Sequence, residues 1–341
     1  MRVADRTTAR NYLKYLDKAK SDYAKTNERV AAGRRFERLS EDVSAGSRVL
    51  RVRTEKYKAE KQLDNVKAIN DELTTTESAM TSINDLLTLV STEKIQKAKT
   101  GTSGDSGREA LANEVKNIRD EILQFANTRY GQKYVFGGTN VSSAPFSLDK
   151  TTGKLLYNGI DVDSIQKEDG EYGYIDADGN RQSIPMDDDV YMDIGLGIKM
   201  SGPNVDPNTG FLVSYSGLDI MGWGTDADGA SNNIINMLTV VEENIRHYDK
   251  DQLDKADTKL TKLMDSFHAN LTNIGSKTSF LDTVQTRLAT TVDSHQVRIS
   301  NLMGVNDAEE ATNQTMNDYV LKAVIQMGSR ILPVSLMDFL K

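Results

Sequence analysis

Residues 63–90 read LDNVKAINDELTTTESAMTSINDLLTLV, and this stretch decides the fold. Val66, Leu73, Met80 and Leu87 recur every seven residues without interruption. Leu63 and Asn70 precede two of them by three, and Ile83 and Val90 follow two by three. A seven-residue apolar period predicts a long helix packed coiled-coil fashion against neighbouring helices. Outward from this core the helix extends from about Val43 to Lys99. Ser40 reads as its N-cap, with Glu41 and Asp42 at its positive end. Thr74-Thr75-Thr76 lowers the propensity locally, because β-branched side chains lose rotamer freedom in a helix. The glycine-rich run Thr100 to Gly107 ends it.

A third helix is expected over about Arg108 to Arg129, with Leu111, Val115, Ile118, Ile122 and Phe125 on its buried face. Lys133 to Thr139 then reads as an aromatic β-type run closing in a Gly-Gly turn. From Val141 to Gly229 the character changes. Sixteen of the 24 glycines lie between Gly131 and Gly229, and Pro145, Pro185, Pro203 and Pro207 fall there too. Leu155-Leu156-Tyr157 before Asn158-Gly159, and Phe211-Leu212-Val213 before Ser216-Gly217, read as short strands entering turns. Helices resume at Ser231. Ile234, Leu238, Val241 and Ile245 form one stripe. A long helix follows to about Leu302, with Leu260, Leu263, Phe267, Leu271, Ile274, Leu281, Val284, Leu288, Val292, His295, Ile299 and Leu302 on its apolar side.

The two ends match one another. Tyr12, Leu16, Ala19, Tyr23 and Val30 are spaced as one face of a first helix, residues 8–32, which stops at Gly33. Asn306 with Glu309 three residues on is a capping-box-like start for a last helix. Val320, Val324, Met327 and Ile331 form its stripe, and Leu336, Phe339 and Leu340 continue it into a very apolar end. A terminal segment this apolar requires a covering surface. We therefore expect the ends to form a helix pair that other molecules complete, and to fold on joining an assembly.

The expected fold is mainly α with a β insert. It is an elongated helical bundle or coiled-coil hairpin built from the N- and C-terminal segments, with a small antiparallel β domain in the middle. Residues 1–42 and 304–341 form the terminal helices, 43–140 and 230–303 the long-helix bundle, and 141–229 the β-rich part.

Composition excludes several classes. There is no cysteine, so disulfide frameworks, thiol catalysis and cysteine-ligated metals are out. Aromatic content is 6% and charged content 27%, a balance suited to long exposed helices. No apolar run approaches membrane-span length, and no signal-peptide core follows the N-terminal cations. The expectation is a soluble protein, or one exported without a cleaved signal. Residues 1–38 carry a net charge of +6 and residues 141–230 one of −11. The basic N-terminus raises nucleic acid as a ligand, but cations between the apolar positions of a helix are better read as a solvated outer face. The cluster Gly33-Arg34-Arg35-Phe36-Glu37-Arg38 lacks the aromatic interleaving of a nucleic-acid groove, so pairing with nearby acidic groups is favoured.

Catalytic chemistry is not indicated. His247, His268 and His295 show no metal-type spacing, and His295 sits on an apolar stripe as a core histidine would. Asp176-Ala177-Asp178-Gly179-Asn180 resembles the start of a calcium loop, but position 187 is aspartate where an EF-hand has glutamate; a hairpin turn is favoured. Gly195-Leu196-Gly197 lacks the third glycine of a dinucleotide loop. No enzyme activity, cofactor or metal is expected.

Four stretches carry a family resemblance. Gly33-Arg34-Arg35-Phe36, with Leu39-Ser40-Glu41-Asp42 and Ala45-Gly46, resembles the flagellin-type turn between terminal helix and long helix. Asn127-Thr128-Arg129-Tyr130-Gly131-Gln132-Lys133-Tyr134-Val135-Phe136-Gly137-Gly138-Thr139 resembles the segment by which hook–filament junction proteins enter their outer domain. Asp307 to Thr312, and Ser329-Arg330-Ile331-Leu332 through Ser335-Leu336-Met337-Asp338-Phe339-Leu340, resemble their C-terminal helix. The chain thus resembles the flagellin-like axial proteins of the bacterial flagellum over roughly residues 1–140 and 230–341. It departs from them at Val43-Ser44, where a proline-containing segment is frequent, and the insert matches no motif. The resemblance implies a non-enzymatic structural protein whose terminal helices line an inner tube and whose insert faces outward. It implies self-association in a helical tube, hook-associated protein 1 and flagellin as axial neighbours, type III export, and an export chaperone at the C-terminal region. It implies neither nucleic acid nor membrane as partner. Filament flagellin is the nearest alternative, and a cytoplasmic coiled-coil interaction protein a more distant one.

Overall fold

The computed structural model describes residues 2–331 except 101–103, 141, 150–152, 169–170, 177, 185–189, 196, 202–203 and 207–208. Leu336, Phe339 and Leu340 lie outside the described residues, as does the side chain of Ile331. The helices are α1 Arg2–Ala32, α2 Val43–Leu89, α3 Gln96–Lys99, α4 Asp105–Phe125, α5 Gly217–Met221, α6 Ile234–His247, α7 Lys250–Met303 and α8 Asp307–Ile331. A π-helical turn, Val90–Ile95, joins α2 to α3. The architecture is mainly α with small antiparallel sheets in the middle of the chain, as expected. The chain forms two compact units, residues 1–60 with 290–341, and residues 61–289.

In the first unit α1 and α8 lie antiparallel. Asn27 is bonded to Gln314 at 2.6 Å and Thr26 to Asn317 at 2.7 Å, while Tyr12 reaches Gly328 farther out. Gly33, at φ 62°, ends α1 in the left-handed conformation that lets the chain turn at once. The N-cap of α2 is Asp42, not Ser40. Its Oδ1 accepts from Ala45 N at 2.8 Å and its Oδ2 holds Arg35 at 2.9 Å. The reason is a turn at Arg38–Glu41, closed by Glu41 N on Arg38 O at 3.0 Å, which moves the helix start two residues on. The two connectors are tied together, since Arg35 N donates to Met303 O at 2.7 Å and Val305 N to Gly33 O at 3.3 Å. Phe36 fills the space beneath, packed with Ala45, Val49, Val52, Ile299 and Met303.

In the second unit α2 and α7 run antiparallel. Asn70 pairs with Asp282 at 2.9 Å, and His268 with Asn84. In this unit the buried set on α2 is Val66, Ile69, Leu73, Thr76, Ala79, Met80, Ile83 and Leu87, with Val90 following in the π turn. Both interior positions of each heptad are therefore filled, but Ile69 takes the place expected for Asn70, which turns aside to bond Asp282. Continued by seven, the repeat would bring Lys94 and Lys97 into the core. The π turn inserts one residue, so Ile95 and Ala98 are buried instead. Lys94 swings out to Glu114 at 2.7 Å. Deleting Thr92, which is exposed, restores a regular helical spacing of the same apolar residues. We expect this deletion to fold with stability within ~1 kcal/mol of the parent in urea unfolding, whereas a helix with no register conflict would lose several.

α4 packs on α6, burying Leu111, Val115, Ile118 and Ile122 against Ile234, Leu238, Val241 and Ile245. Glu242 lies between them within 3.2 Å of Arg119 and 2.9 Å of Arg246. Asn233 caps α6, its Oδ1 accepting from Ile235 N and Asn236 N.

The β-rich part is not one sheet. Among the described residues it comprises separate small antiparallel sheets, two of two strands and two of three, and a further two-stranded one lies just before it at Arg129–Tyr134. Leu155–Tyr157 turns through Asn158-Gly159 into Ile160–Asp161, as read from sequence. The Asp176 turn joins Glu171–Ile175 to Arg181–Ser183, its Oδ1 accepting from Asp178 N and Asn180 N. Phe211–Leu212 pairs with Tyr191–Met192, but Ser216 is the N-cap of α5 rather than a turn residue. Lys133–Tyr134 pairs back on Arg129–Tyr130, while Val135 and Phe136 bury in the helical core. Short strands cannot share one ladder when each is anchored to a different patch of helix.

Candidate assembly interface

The α1–α8 pair is where the two terminal stripes come together. The face of α8 against α1 is mixed, with half-buried Leu321 among polar residues on it. Glu310, Gln314, Asn317 and Gly328 lie on it, opposite Arg29, Asn27, Thr26 and Tyr12. Glu310 is buried and lies 3.7 Å from Arg29. Thr26 is buried too, donating to Asp22 O at 2.8 Å while it accepts from Asn317. Ala19 is the only apolar side chain fully buried between these helices among the described residues.

Given 3.6 residues per turn, Val320 and Met327 sit roughly 90° round α8 from the middle of that face and Val324 about half as far. They lie at the edge of the contact with α1 rather than at its centre. With Tyr12, Tyr15 and Ala19 they line an open groove of about 490 Å³ along one side of the pair, rimmed by Asn11, Lys18 and Asp22. Of the residues expected from sequence, Tyr12, Ala19, Val320, Val324 and Met327 are thus brought to one apolar groove. Leu16 and Tyr23 are half-buried on α1, and Val30 stands exposed nearer its C-terminal end. Met316 and Tyr319 are exposed on a different side of α8, with Thr312 and Thr315. Tyr15, Met316 and Tyr319 were not singled out from sequence. For Tyr15, which lines the groove, the signal is an apolar residue placed just outside a helical stripe. Away from the groove, Asp318 accepts from Lys322 Nζ at 2.6 Å, and that hydrogen bond holds the ammonium above its ordinary value.

Exposure is concentrated in this unit. Of the twenty large apolar side chains exposed among the described residues, thirteen belong to residues 1–60 and 290–341, about a third of the chain. No group of three or more metal-ligating side chains is gathered among the described residues, and no described helix is long and apolar enough to cross a membrane.

Residues 3–141 match the family of the bacterial flagellin N-terminal helical region. The N-terminal part of this chain is thus similar to the bacterial flagellins. Two curated relatives are flagellar hook-associated protein 3 of Escherichia coli, 26% identical over 44% of this chain and 47% of the relative, and flagellar hook-associated protein 3 of Salmonella typhimurium, 25% identical over 50% and 52%. The chain therefore spans about half the length of the curated relatives it matches. A solved structure from Vibrio parahaemolyticus, described as a flagellar hook-associated protein, shares its fold with a TM-score of 0.58 at 15% identity, covering 77% of this chain and all of that one. The groove lies on the α1 segment inside the matched region and on α8 outside it.

Proposed function

We propose that this chain is a structural, non-enzymatic component of the bacterial flagellum that joins hook to filament. The observation that supports the reading is the apolar groove of the α1–α8 pair, left open in a single chain, in the unit that holds thirteen of the twenty exposed large apolar side chains among the described residues. A helix pair that buries so little apolar surface has little stability of its own. Neighbouring copies would supply the missing cover, in a helical tube whose inner part is residues 1–42 and 304–341. The long-helix segments 43–140 and 230–303 would form the surrounding shell, and 141–229 the outer face. Tyr12, Leu16, Ala19, Tyr23, Val30, Val320, Val324, Met327 and Ile331, with Leu336, Phe339 and Leu340, are the proposed assembly residues. Hook-associated protein 1 and flagellin are the proposed axial neighbours, and an export chaperone would guard the C-terminal region before assembly. The protein would act outside the cell, exported without a cleaved signal.

Filament flagellin is the second reading, and the curated relatives, both hook-associated, weigh against it. Deleting the gene separates the two. A junction adaptor leaves hooks without filaments and flagellin released to the medium. Immuno-electron microscopy of purified flagella should place the label in a single band between hook and filament. Label along the filament, or confined to the cytoplasm, would sink the proposal.

A further inference from the structure

α2 carries apolar residues on two faces within the first unit. Ala45, Val49 and Val52 are turned inward and buried. Val43, Leu50 and Tyr57 are spaced by seven and lie on another face, 71%, 48% and 60% exposed. Between them on that face stand Ser47 and Thr54, small and also exposed. A helix with one interior face is ordinarily polar on the others. An outward stripe with a period of seven, broken only by small residues, is a coiled-coil seam without its second strand.

The edges of the seam say what the second strand must look like. Arg51 and Lys58 flank it on one side and Arg53 on the other, all exposed. None of the three has an ion-pair partner among the described residues; Arg53 donates only to Met303 Sδ, at 3.4 Å. Two copies of this stripe facing one another would bring cations against cations, so pairing of the seam with itself is opposed.

We propose that the Val43–Leu50–Tyr57 seam is a docking surface for an α-helix whose own apolar seam is flanked by carboxylates. The surface is separate from the α1–α8 groove, and its occupation does not depend on the groove's role. The partner helix sets its apolar residues between Val43, Leu50 and Tyr57, and its Asp or Glu residues meet Arg51, Arg53 and Lys58. Small Ser47 and Thr54 leave room for its larger side chains.

Two fluorescent heptad peptides test this on the full chain, both with a Leu/Val seam, one flanked by Glu and the other by Lys. The Glu-flanked peptide should bind by fluorescence anisotropy, more weakly as salt rises, and the Lys-flanked one should bind at least about tenfold more weakly. Leu50→Asp and, independently, Tyr57→Ser should each lower binding of the Glu-flanked peptide about tenfold or more, the loss of one large apolar side chain from an interface. Both positions are exposed, so unchanged circular dichroism and melting confirm that the variants fold. Arg51→Glu with Lys58→Glu should reverse the preference between peptides. Val324→Asp, in the groove, should bind the Glu-flanked peptide as the parent does, which separates this surface from the assembly reading. Equal binding of both peptides, or Leu50→Asp and Tyr57→Ser binding like the parent, would overturn the proposal. A dimer of the parent chain that is lost in Leu50→Asp would also overturn it, by making a second copy the occupant.

Discussion

Val324→Asp is expected to abolish filament growth in cells that depend on this chain while leaving residues 61–289 folded. Val324 is half-buried at the floor of the α1–α8 groove, beside Val320 and Met327. In a free subunit the new carboxylate can turn to water, because the groove is open. In an assembled tube the same position would be covered by neighbouring copies. An ionised carboxylate there would be desolvated without a partner, costing ~3 kcal/mol or more at each contact, a factor above about 100 in the association constant. Repeated at every subunit, that loss should be decisive. Val324→Leu keeps the site apolar and should preserve filaments. The measurement is electron microscopy of complemented cells alongside motility, with circular dichroism of purified protein to confirm folding. Cells carrying Val324→Asp that swim and bear filaments like the parent would show that the groove is not an assembly surface.

Gly222→Ala should cost the second unit about 3–5 kcal/mol, the largest stability loss expected from a single methyl group in this chain. Gly222 ends α5 at φ 87°, ψ 164°. That conformation is open essentially to glycine alone and costs other residues ~1–3 kcal/mol. A Cβ there would also overlap the Asn232 carbonyl oxygen, which is backbone and cannot rotate away. Relief would require the 222–233 segment to shift. That would break the bond from Asn233 Nδ2 to Gly222 O, at 2.8 Å, and loosen the residue that caps α6. Gly131→Ala supplies the comparison. Gly131 has φ 61° with nothing within 4 Å of a built Cβ, so only the left-handed backbone cost of ~1 kcal/mol applies. Urea unfolding followed through Trp223 reads both, since Trp223 packs against the core of this unit. Equal losses for the two variants would mean that the contact with Asn232 is not a fixed part of the fold.

Much of the architecture could be read from local pattern. The period of seven over Val66, Leu73, Met80 and Leu87 demanded a long helix with helical neighbours, and α2 with α7 supplies them. Gly33 marked the end of α1 because a left-handed residue there needs no Cβ, and Asn158-Gly159 marked a hairpin for the same reason. Each of these is decided by residues within a few positions of one another, so no distant contact can overrule it cheaply.

The tertiary structure decided what depended on a second surface. Lys94 leaves the heptad because a buried ammonium costs more than one irregular helical turn. Asp42 displaces Ser40 as the cap because the Arg38–Glu41 turn and the tie from Arg35 to Met303 fix where α2 can start. On α8 the sequence shows one apolar stripe, and periodicity alone implies that it packs on the nearest helix. α1 instead meets a neighbouring, mixed face, where Leu321 is half-buried and Arg29, Asn27 and Thr26 find Glu310, Gln314 and Asn317 as partners. Those polar contacts are directional and fix the register of the pair. The apolar stripe is non-directional, makes no such demand, and is left at the edge of the pair. Periodicity therefore determined that α1 and α8 carry apolar surface, while the directional polar contacts between them determined that most of this surface faces away from the chain's own core.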